Sequence, residues 1–219
     1  TEAFWEGHLR AFEFFGGVPK RITYDNLKIA VKMIVGPHER ELTNGFLQLV
    51  SHYLFQHHFC TVRRANEKGV VEGTGKYARC NFMVPVPQAP DLDALNDFLL
   101  ERCWREQFRR LRGKSQEKKA LWLQEDLRPL PEAPFDACRK QGGHASSLSL
   151  VRFDDNDYSV PVAYAHHEVV VKGYFDKVVI CAKTGEAVAE HRRIWEREHV
   201  RYEPIHYFPL LERKPGALD

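Results

Sequence analysis

The spacing of hydrophobic residues up to about residue 84 predicts helices packed on a mixed sheet. Aromatic and aliphatic residues recur at helical spacing until two adjacent glycines, and β-branched and aromatic runs alternate with further helical stretches. The predicted elements are a helix ending at Gly16–Gly17, a strand at 21–25, a helix at 44–55, a strand at 58–62, a loop at 63–69 and a helix from Val70 to about Phe82. This order predicts an α/β arrangement.

The rest of the chain changes from helical spacing to alternation. Prolines flank a middle region, residues 85–140, in which 91–112 and 115–126 have the spacing of helices. From about residue 146 apolar residues alternate in short runs separated by the turn sequences 154–157 and 183–186. The fold class predicted is therefore α/β followed by all-β, with a small antiparallel β-barrel at 141–200 and an irregular tail at 201–219.

Composition limits the possible classes of protein. The 219 residues are 43% hydrophobic, enough for one or two domains, and no apolar stretch is long enough to span a bilayer. No signal peptide is visible, so a cytoplasmic location is expected, and a start at Thr1 suggests a piece of a longer protein. The five cysteines form no C-x-x-C pair and are expected to be reduced. Adjacent histidines on a strand point to opposite faces, which argues against a histidine metal site.

The net charge of the chain says little about its function, but the distribution of charge along the sequence says more. The net charge is +2, but residues 101–119 hold eight basic side chains against three acidic ones. Such a segment could neutralise phosphates. A solvated helix face with ion pairs one turn apart explains the same pattern equally well, so both interpretations stay open.

Two carboxylates occupy positions suited to a metal site. Asp25 follows a hydrophobic strand, and Glu72 lies early in a predicted helix. Carboxylates that converge from a strand end and a helix provide the oxygen ligands that Mg²⁺ prefers, and two such ions can assist an in-line displacement at phosphorus. Asp at a strand end is also a common turn or cap residue, so this pattern alone is weak evidence.

The sequence contains several distinctive motifs, among them residues 12–28 (FEFFGGVPKRITYDNLK), 64–72 (RANEKGVVE), 81–87 (NFMVPVP), 158–161 (YSVP) and 189–192 (AEHR). Together these motifs resemble the IstA-type DDE transposases of bacterial insertion sequences, and the similarity spans most of the chain. More broadly, Gly69–Glu72 is similar to the glutamate motif of retroviral integrases. The resemblance implies an incomplete RNase H-like catalytic core at 1–84, a helical basic connector at 85–140 and an SH3-like barrel.

The resemblance also implies a function and a set of residues. Asp25 and Glu72 would be the second and third acids of the triad and the ligands of Mg²⁺, or of Mn²⁺ as a substitute. The first acid would lie upstream of Thr1, so the fragment alone is expected to be inactive. Glu67 is a secondary possibility for the ligand. The separation of Asp25 from Glu72 exceeds that typical of integrases, and the excess is assigned to an inserted turn or strand extension at 33–43.

The implied activity is Mg²⁺-dependent cleavage of transposon ends and strand transfer into target DNA. Its implied partners are both DNAs, an AAA+ helper ATPase and further copies of the transposase. Lys76 and Arg79, which share a helix face with Glu72, are predicted DNA contacts, and so are three arginines of the connector, Arg105, Arg109 and Arg112. The alternative interpretation of that helix face is a surface ion pair between Glu72 and Lys76, with no role in DNA binding. The alternative function is a non-catalytic module for DNA binding or assembly of the same transposase.

Overall fold

The computed structural model describes residues 1–35, 39–60 and 65–213, without the side chains of 65–72 and 213. Tertiary contacts divide the chain into two compact units, one of Thr1–Ala11 and Ala133–Asp219 and the other of Phe12–Glu132. The predicted boundary between residues 84 and 85 lies inside the second unit. The described residues contain no helix both long and apolar enough to cross a bilayer.

The first half of the 12–132 unit combines short strands with amphipathic helices. Its elements are α1 (Glu2–Phe15, shared with the other unit), β1 (Arg21–Tyr24), β2 (Val31–Ile34), β3 (Arg40–Leu42), α2 (Asn44–Tyr53) and β4 (Gln56–Phe59). β1 and β4 form a parallel pair in which Tyr24 lies opposite Phe59. β2 and β3 form an antiparallel pair, so the stretch expected to be an inserted turn or strand extension contains a strand pair.

Aromatic side chains from several elements make the core of this half. Phe46 and Leu49 of α2 are fully buried. Their helix begins after Thr43, whose side chain accepts a hydrogen bond from the Phe46 backbone N–H, and it ends before Leu54, whose φ is 57°. The Phe46 ring meets Tyr24 edge-on at 5.1 Å between centroids. This packing holds α2 against the end of β1, where the candidate site begins.

The second half of this unit is helical but differs from the prediction. It contains α3 (Ala65–Phe82), α4 (Leu92–Glu106) and α5 (Lys118–Trp122). The loop expected at 63–69 is wrong from Ala65 onwards, because α3 already begins there. The helix expected at 91–112 ends at Glu106, and the one expected at 115–126 covers only five residues. No residue of α4 is buried, so this helix contributes little to a core in the described part of the unit.

The other unit contains most of the strands. They are β5 (Arg139–His144), β6 (Leu150–Phe153), β7 (Asn156–Ser159), β8 (Glu168–Gly173), β9 (Lys177–Ala182), β10 (Ala187–Arg192) and β11 (Val200–Arg201). A four-stranded antiparallel sheet has the order β10-β9-β8-β5, and a three-stranded sheet has the order β11-β7-β6. Within the described residues the strands make two separate sheets, not one closed barrel as expected. The tail, expected to be irregular, contains β11, a 3₁₀ turn at Pro204–Tyr207 and α6 (Phe208–Arg213).

Alternation along these strands builds one apolar core. Phe153, Tyr158, Val171 and Ile180 are completely buried. Gly173 of β8 lies directly against the Phe153 ring, where an added Cβ would be 2.0 Å from Cζ. Only glycine leaves room for the Phe153 ring at position 173, because any larger residue would clash with the ring.

Buried polar groups fix the segments around that core. The amide nitrogen of Asn156 donates to the carbonyl oxygens of Asp154 (3.1 Å), Ile194 (3.3 Å) and Glu196 (2.7 Å). Its amide oxygen accepts a hydrogen bond from the backbone N–H of His199 at 3.0 Å. One fully buried side chain therefore ties the turn after β6 to the segment after β10.

Candidate functional site

Asp25 lies directly after β1, at the carboxyl end of the parallel β1–β4 pair. The pairing continues one step past the strands, because the backbone N–H of Cys60 donates to the Tyr24 carbonyl at 2.9 Å. The Asp25 side chain is half-buried. Its Oδ1 accepts a hydrogen bond from the backbone N–H of Asn26 at 2.7 Å. The strand end thus presents a carboxylate whose orientation is fixed by its own backbone.

Two side chains that the sequence interpretation missed hold the loop beside Asp25. Asn26 Nδ2 donates to the Cys60 carbonyl at 2.9 Å, which joins the ends of β1 and β4. Arg40 Nε donates to Asn26 Oδ1 at 2.7 Å, and its Nη2 reaches the same Cys60 carbonyl at 3.4 Å. Asn26 follows the strand directly in sequence, whereas nothing in the spacing connects it with Arg40. These bonds restrict the backbone that carries Asp25.

Glu72 lies within α3, but its carboxylate is outside the described side chains, and so is that of Glu67. The distance from either group to Asp25 is therefore not part of the described geometry, and their pairing stays a prediction. The Asp25 oxygens are hard donors that suit Mg²⁺. Among the side chains that are described, no group of three His, Cys, Asp or Glu residues is arranged to hold a metal ion.

The two predicted DNA contacts on α3 are accessible. Lys76 and Arg79 are exposed, and Gly75 is exposed as well, with open space around its Cα. Tyr77, between the two basic residues, is half-buried and donates its hydroxyl hydrogen to Glu106 Oε1 at 2.8 Å. No spacing in the sequence connects Tyr77 with Glu106, which lies 29 residues further on.

The connector arginines occupy three different environments. Arg105 lies on α4 and is paired with Glu101 one turn earlier. Arg109 follows the helix, with its guanidinium 4.5 Å from the centre of the Tyr77 ring and 3.4 Å from Glu106 Oε2. Arg112 is exposed. The prediction that these residues belong to one continuous helix is wrong, because α4 ends at Glu106. Their contacts with DNA stay a prediction.

The segment from Gln107 to Glu117, here called the basic loop, has an ordered turn. Arg110 and Glu117 form an antiparallel bridge across it. The Lys114 N–H donates to the Leu111 carbonyl at 3.0 Å, and Gly113 has a φ of 78°. At its base, the Lys118 N–H donates to the Arg109 carbonyl at 3.0 Å. The basic loop therefore presents cations on a defined backbone instead of a helix face.

The sequence of the chain is similar to those of several known proteins. Residues 130–203 match the model of the Mu transposase C-terminal domain. A transposase from Aminobacter aminovorans is 37% identical over 99% of this chain. The transposase for insertion sequences IS1326/IS1353 from Pseudomonas aeruginosa is 36% identical over 99% of the chain. The chain is a homologue of the IS1326- and IS21-type transposases. The transposase for insertion sequence element IS21 from Pseudomonas aeruginosa is 30% identical over 97% of the chain.

This homology confirms the resemblance drawn from the sequence motifs. The chain spans 44% of the length of the Aminobacter and IS1326/IS1353 transposases and 55% of the IS21 transposase. The IS1326- and IS21-type similarity covers both compact units, whereas the Mu-type match covers mainly the strand-rich one. Homology therefore relates this chain to part of a transposase and assigns no chemical role to any single residue.

Proposed function

We propose that this chain is part of a DDE transposase that cleaves transposon ends and joins them to target DNA. The observation that carries the proposal is the position of Asp25, a half-buried carboxylate at the end of a parallel strand, in a chain homologous to transposases over nearly its whole length. The parallel pair and its neighbouring helices are consistent with part of an RNase H-like core. The two strand-rich sheets take the role of the SH3-like domain.

In this proposal Asp25 and Glu72 are the metal ligands. Hydrogen bonding of Asn26 to Cys60 and to Arg40 keeps the strand end in place, which would orient Asp25 to hold the metal. Mg²⁺ held there would stabilise charge on the phosphate oxygens during in-line displacement. Lys76 and Arg79, exposed on the same helix as Glu72, bind phosphates of the transposon end and orient the scissile bond.

The basic loop and α4 supply further phosphate contacts through Arg105, Arg109 and Arg112. We further propose that the complete protein acts in the bacterial cytoplasm, as an oligomer on paired ends, with an AAA+ ATPase as helper. The first carboxylate of the triad is proposed to come from a residue outside this chain. Accordingly, the 219-residue chain alone is not expected to join DNA.

The test is a Mg²⁺-dependent end-joining assay with the complete protein. Asp25→Asn and Glu72→Gln should abolish joining and leave binding to end DNA unchanged, because in this proposal each removes a metal ligand and neither removes a cation that contacts phosphate. Glu67→Gln is the matched control and should retain joining. If Glu72→Gln joins ends normally, the metal site is wrong, and a non-catalytic DNA-binding or assembly module becomes the better account.

A further inference from the structure

Four side chains from separate segments meet at Tyr77, and we call them the Tyr77 clamp: Tyr77, Glu106, Arg109 and Lys118. The Tyr77 hydroxyl donates to Glu106 Oε1, and Lys118 Nζ donates to Glu106 Oε2, both at 2.8 Å. Arg109 reaches the same Oε2 at 3.4 Å. α3, the end of α4 and the start of α5 are thereby joined through one carboxylate.

The clamp also holds the aromatic ring of Tyr77. The Arg109 guanidinium lies 4.5 Å from the ring centre and the Lys118 ammonium 5.7 Å from it. Cations at these distances are attracted by the electron-rich face of the ring. Both ends of the Tyr77 side chain are therefore engaged, so its position is fixed by more than a single hydrogen bond.

The charges of the clamp favour the ionised form of Glu106. Burial opposes ionisation, but hydrogen bonds from Lys118 and Tyr77 and the nearby cations lower the pKa of the carboxyl below its usual value. The hydrogen bond to Glu106 in turn raises the pKa of the Tyr77 phenol, which stays a donor. At neutral pH the clamp is thus an intact set of charge-assisted contacts.

The base of the basic loop is built from two members of the clamp. Arg109 and Lys118 face each other through the backbone hydrogen bond of 3.0 Å that closes the loop. The tip, with Arg112 and Lys114, is exposed. Force or displacement at the tip therefore acts on the two residues that hold Tyr77, and through Tyr77 on α3.

Helix geometry connects the clamp to the metal ligand. Tyr77 and Glu72 lie on one continuous helix, α3, and five residues separate them by about 7.5 Å along its axis. Fixing Tyr77 fixes the axis and rotation of the helix nearby, because a helix moves as a rigid rod over so short a distance. The phosphate-binding candidates Lys76 and Arg79 lie on either side of the same fixed point.

We propose that Tyr77 is a positioning residue: through the clamp it holds the Glu72 helix in register with the basic loop, so that metal binding and phosphate binding support each other. This inference rests on the proposed function, because it requires Glu72 to be a metal ligand. Coupling of this kind is reciprocal, so DNA bound at the loop should tighten metal binding and metal should tighten DNA binding.

The experiment measures Mn²⁺ binding by the complete protein, followed by loss of the free Mn²⁺ electron paramagnetic resonance signal, with and without duplex end DNA. Tyr77→Phe keeps the ring and removes the hydroxyl, and should weaken Mn²⁺ binding about tenfold, as removal of groups that orient metal ligands does. DNA should no longer tighten the remaining Mn²⁺ binding. Binding of end DNA without metal should be unchanged, because no cation is removed.

Lys118 and its neighbour Lys119 provide a matched pair of variants. Lys118 donates to Glu106, whereas the Lys119 ammonium lies 5.7 Å from the centre of the Phe108 ring. Lys118→Met and Lys119→Met each remove one cation and should lower the salt dependence of DNA binding by similar amounts. Only Lys118→Met should also weaken Mn²⁺ binding.

Two outcomes overturn the inference alone. One is wild-type Mn²⁺ affinity and DNA coupling in Tyr77→Phe, and the other is an equal loss of Mn²⁺ affinity in Lys118→Met and Lys119→Met. Asp25→Asn and Glu72→Gln separate these from failure of the proposed function. If both variants bind Mn²⁺ like wild type, the metal site itself is wrong and both proposals are overturned.

Discussion

The contact between Gly173 and the Phe153 ring makes a sharp prediction about stability. In Gly173→Ala the new Cβ would lie 2.0 Å from Cζ, 2.5 Å from Cε1 and 3.0 Å from Cε2 of Phe153. Carbon atoms in contact prefer about 3.5–4.0 Å, so the ring must move by roughly 1.5 Å. Phe153 is completely buried, and its ring has the Arg139 and Arg193 guanidinium groups at 4.8 and 5.5 Å from its centre.

The size of the effect follows from this lack of space. Overpacking a well-packed core costs about 1–3 kcal/mol, and this contact lies at the upper end because backbone and a buried ring both have to shift. We expect Gly173→Ala to lower the free energy of unfolding by about 3 kcal/mol. The assay is urea denaturation of the chain, followed by tryptophan fluorescence, with the midpoint and the slope compared between variants.

Two other strand glycines serve as graded controls. Gly142 of β5 has nothing within 4 Å of its added Cβ, so Gly142→Ala should be neutral or slightly stabilising. At Gly143 the added Cβ would be 3.2 Å from Val151 Cγ1, which predicts a small intermediate loss. If Gly173→Ala unfolds at the same urea concentration as Gly142→Ala, the argument from close packing is refuted.

Three further outcomes are expected. Asn156→Ala should lower the free energy of unfolding by about 2–4 kcal/mol, because it leaves several backbone groups without their partner, and urea denaturation measures this. Burial lowers the pKa of His191 and, together with the neighbouring His191, that of His206, so the unfolded chain binds more protons in acid. The contribution of these two histidines to the free energy of unfolding should be fully present above about pH 6.5 and decrease as the pH falls below that value. Thermal unfolding measured across pH 5–8 would record the decrease. Arg112→Gln should lower the salt dependence of DNA binding by about one phosphate contact, and Arg105→Gln by less because Glu101 already pairs with Arg105.

Each of these has an outcome that would contradict it. Asn156→Asp keeps the acceptor and loses the donors, so a loss as small as that of an exposed Asn81→Asp control would refute the role of the donor bonds. If the His206→Gln variant loses stability in acid as the wild type does, His206 does not contribute to the acid sensitivity. Equal salt slopes for both arginine variants would show that the ion pair at Arg105 does not hold in solution.

The sequence predicts the strands of this protein better than its helices. Alternation at Tyr158, Val169 and Val178 is unambiguous because one face of each strand is buried, and each lies in or next to a strand in the structure. The helices at 91–112 and 115–126 were predicted too long. Their arginines and lysines have good helix propensity, but tertiary contacts bury Gln107, and the chain turns at Gly113, whose φ is 78°.

The candidate site divides in the same way. The place of Asp25 at a strand end could be predicted because a clear strand precedes it, and it lies directly after β1 in the structure, whereas its role as a metal ligand stays a prediction. Arg40 and the Tyr77–Glu106 bond could not, because they join residues that are distant in sequence and carry no shared spacing. The barrel was predicted from several short strands at regular spacing, and these features do not determine whether two sheets join at their edges.

The division of the chain into units has a consequence for its synthesis. Residues 12–132 form one continuous unit, whereas the strand-rich unit also needs residues 1–11. As the protein leaves the ribosome, the continuous unit can fold while translation proceeds. Residues 1–11, including Glu2, whose buried carboxylate pairs with Arg139 and Arg193, have to wait until more than a hundred further residues have been made. On a ribosome stalled before Ala133, residues 12–132 would therefore be complete, whereas residues 1–11 would lack the strands of their own unit.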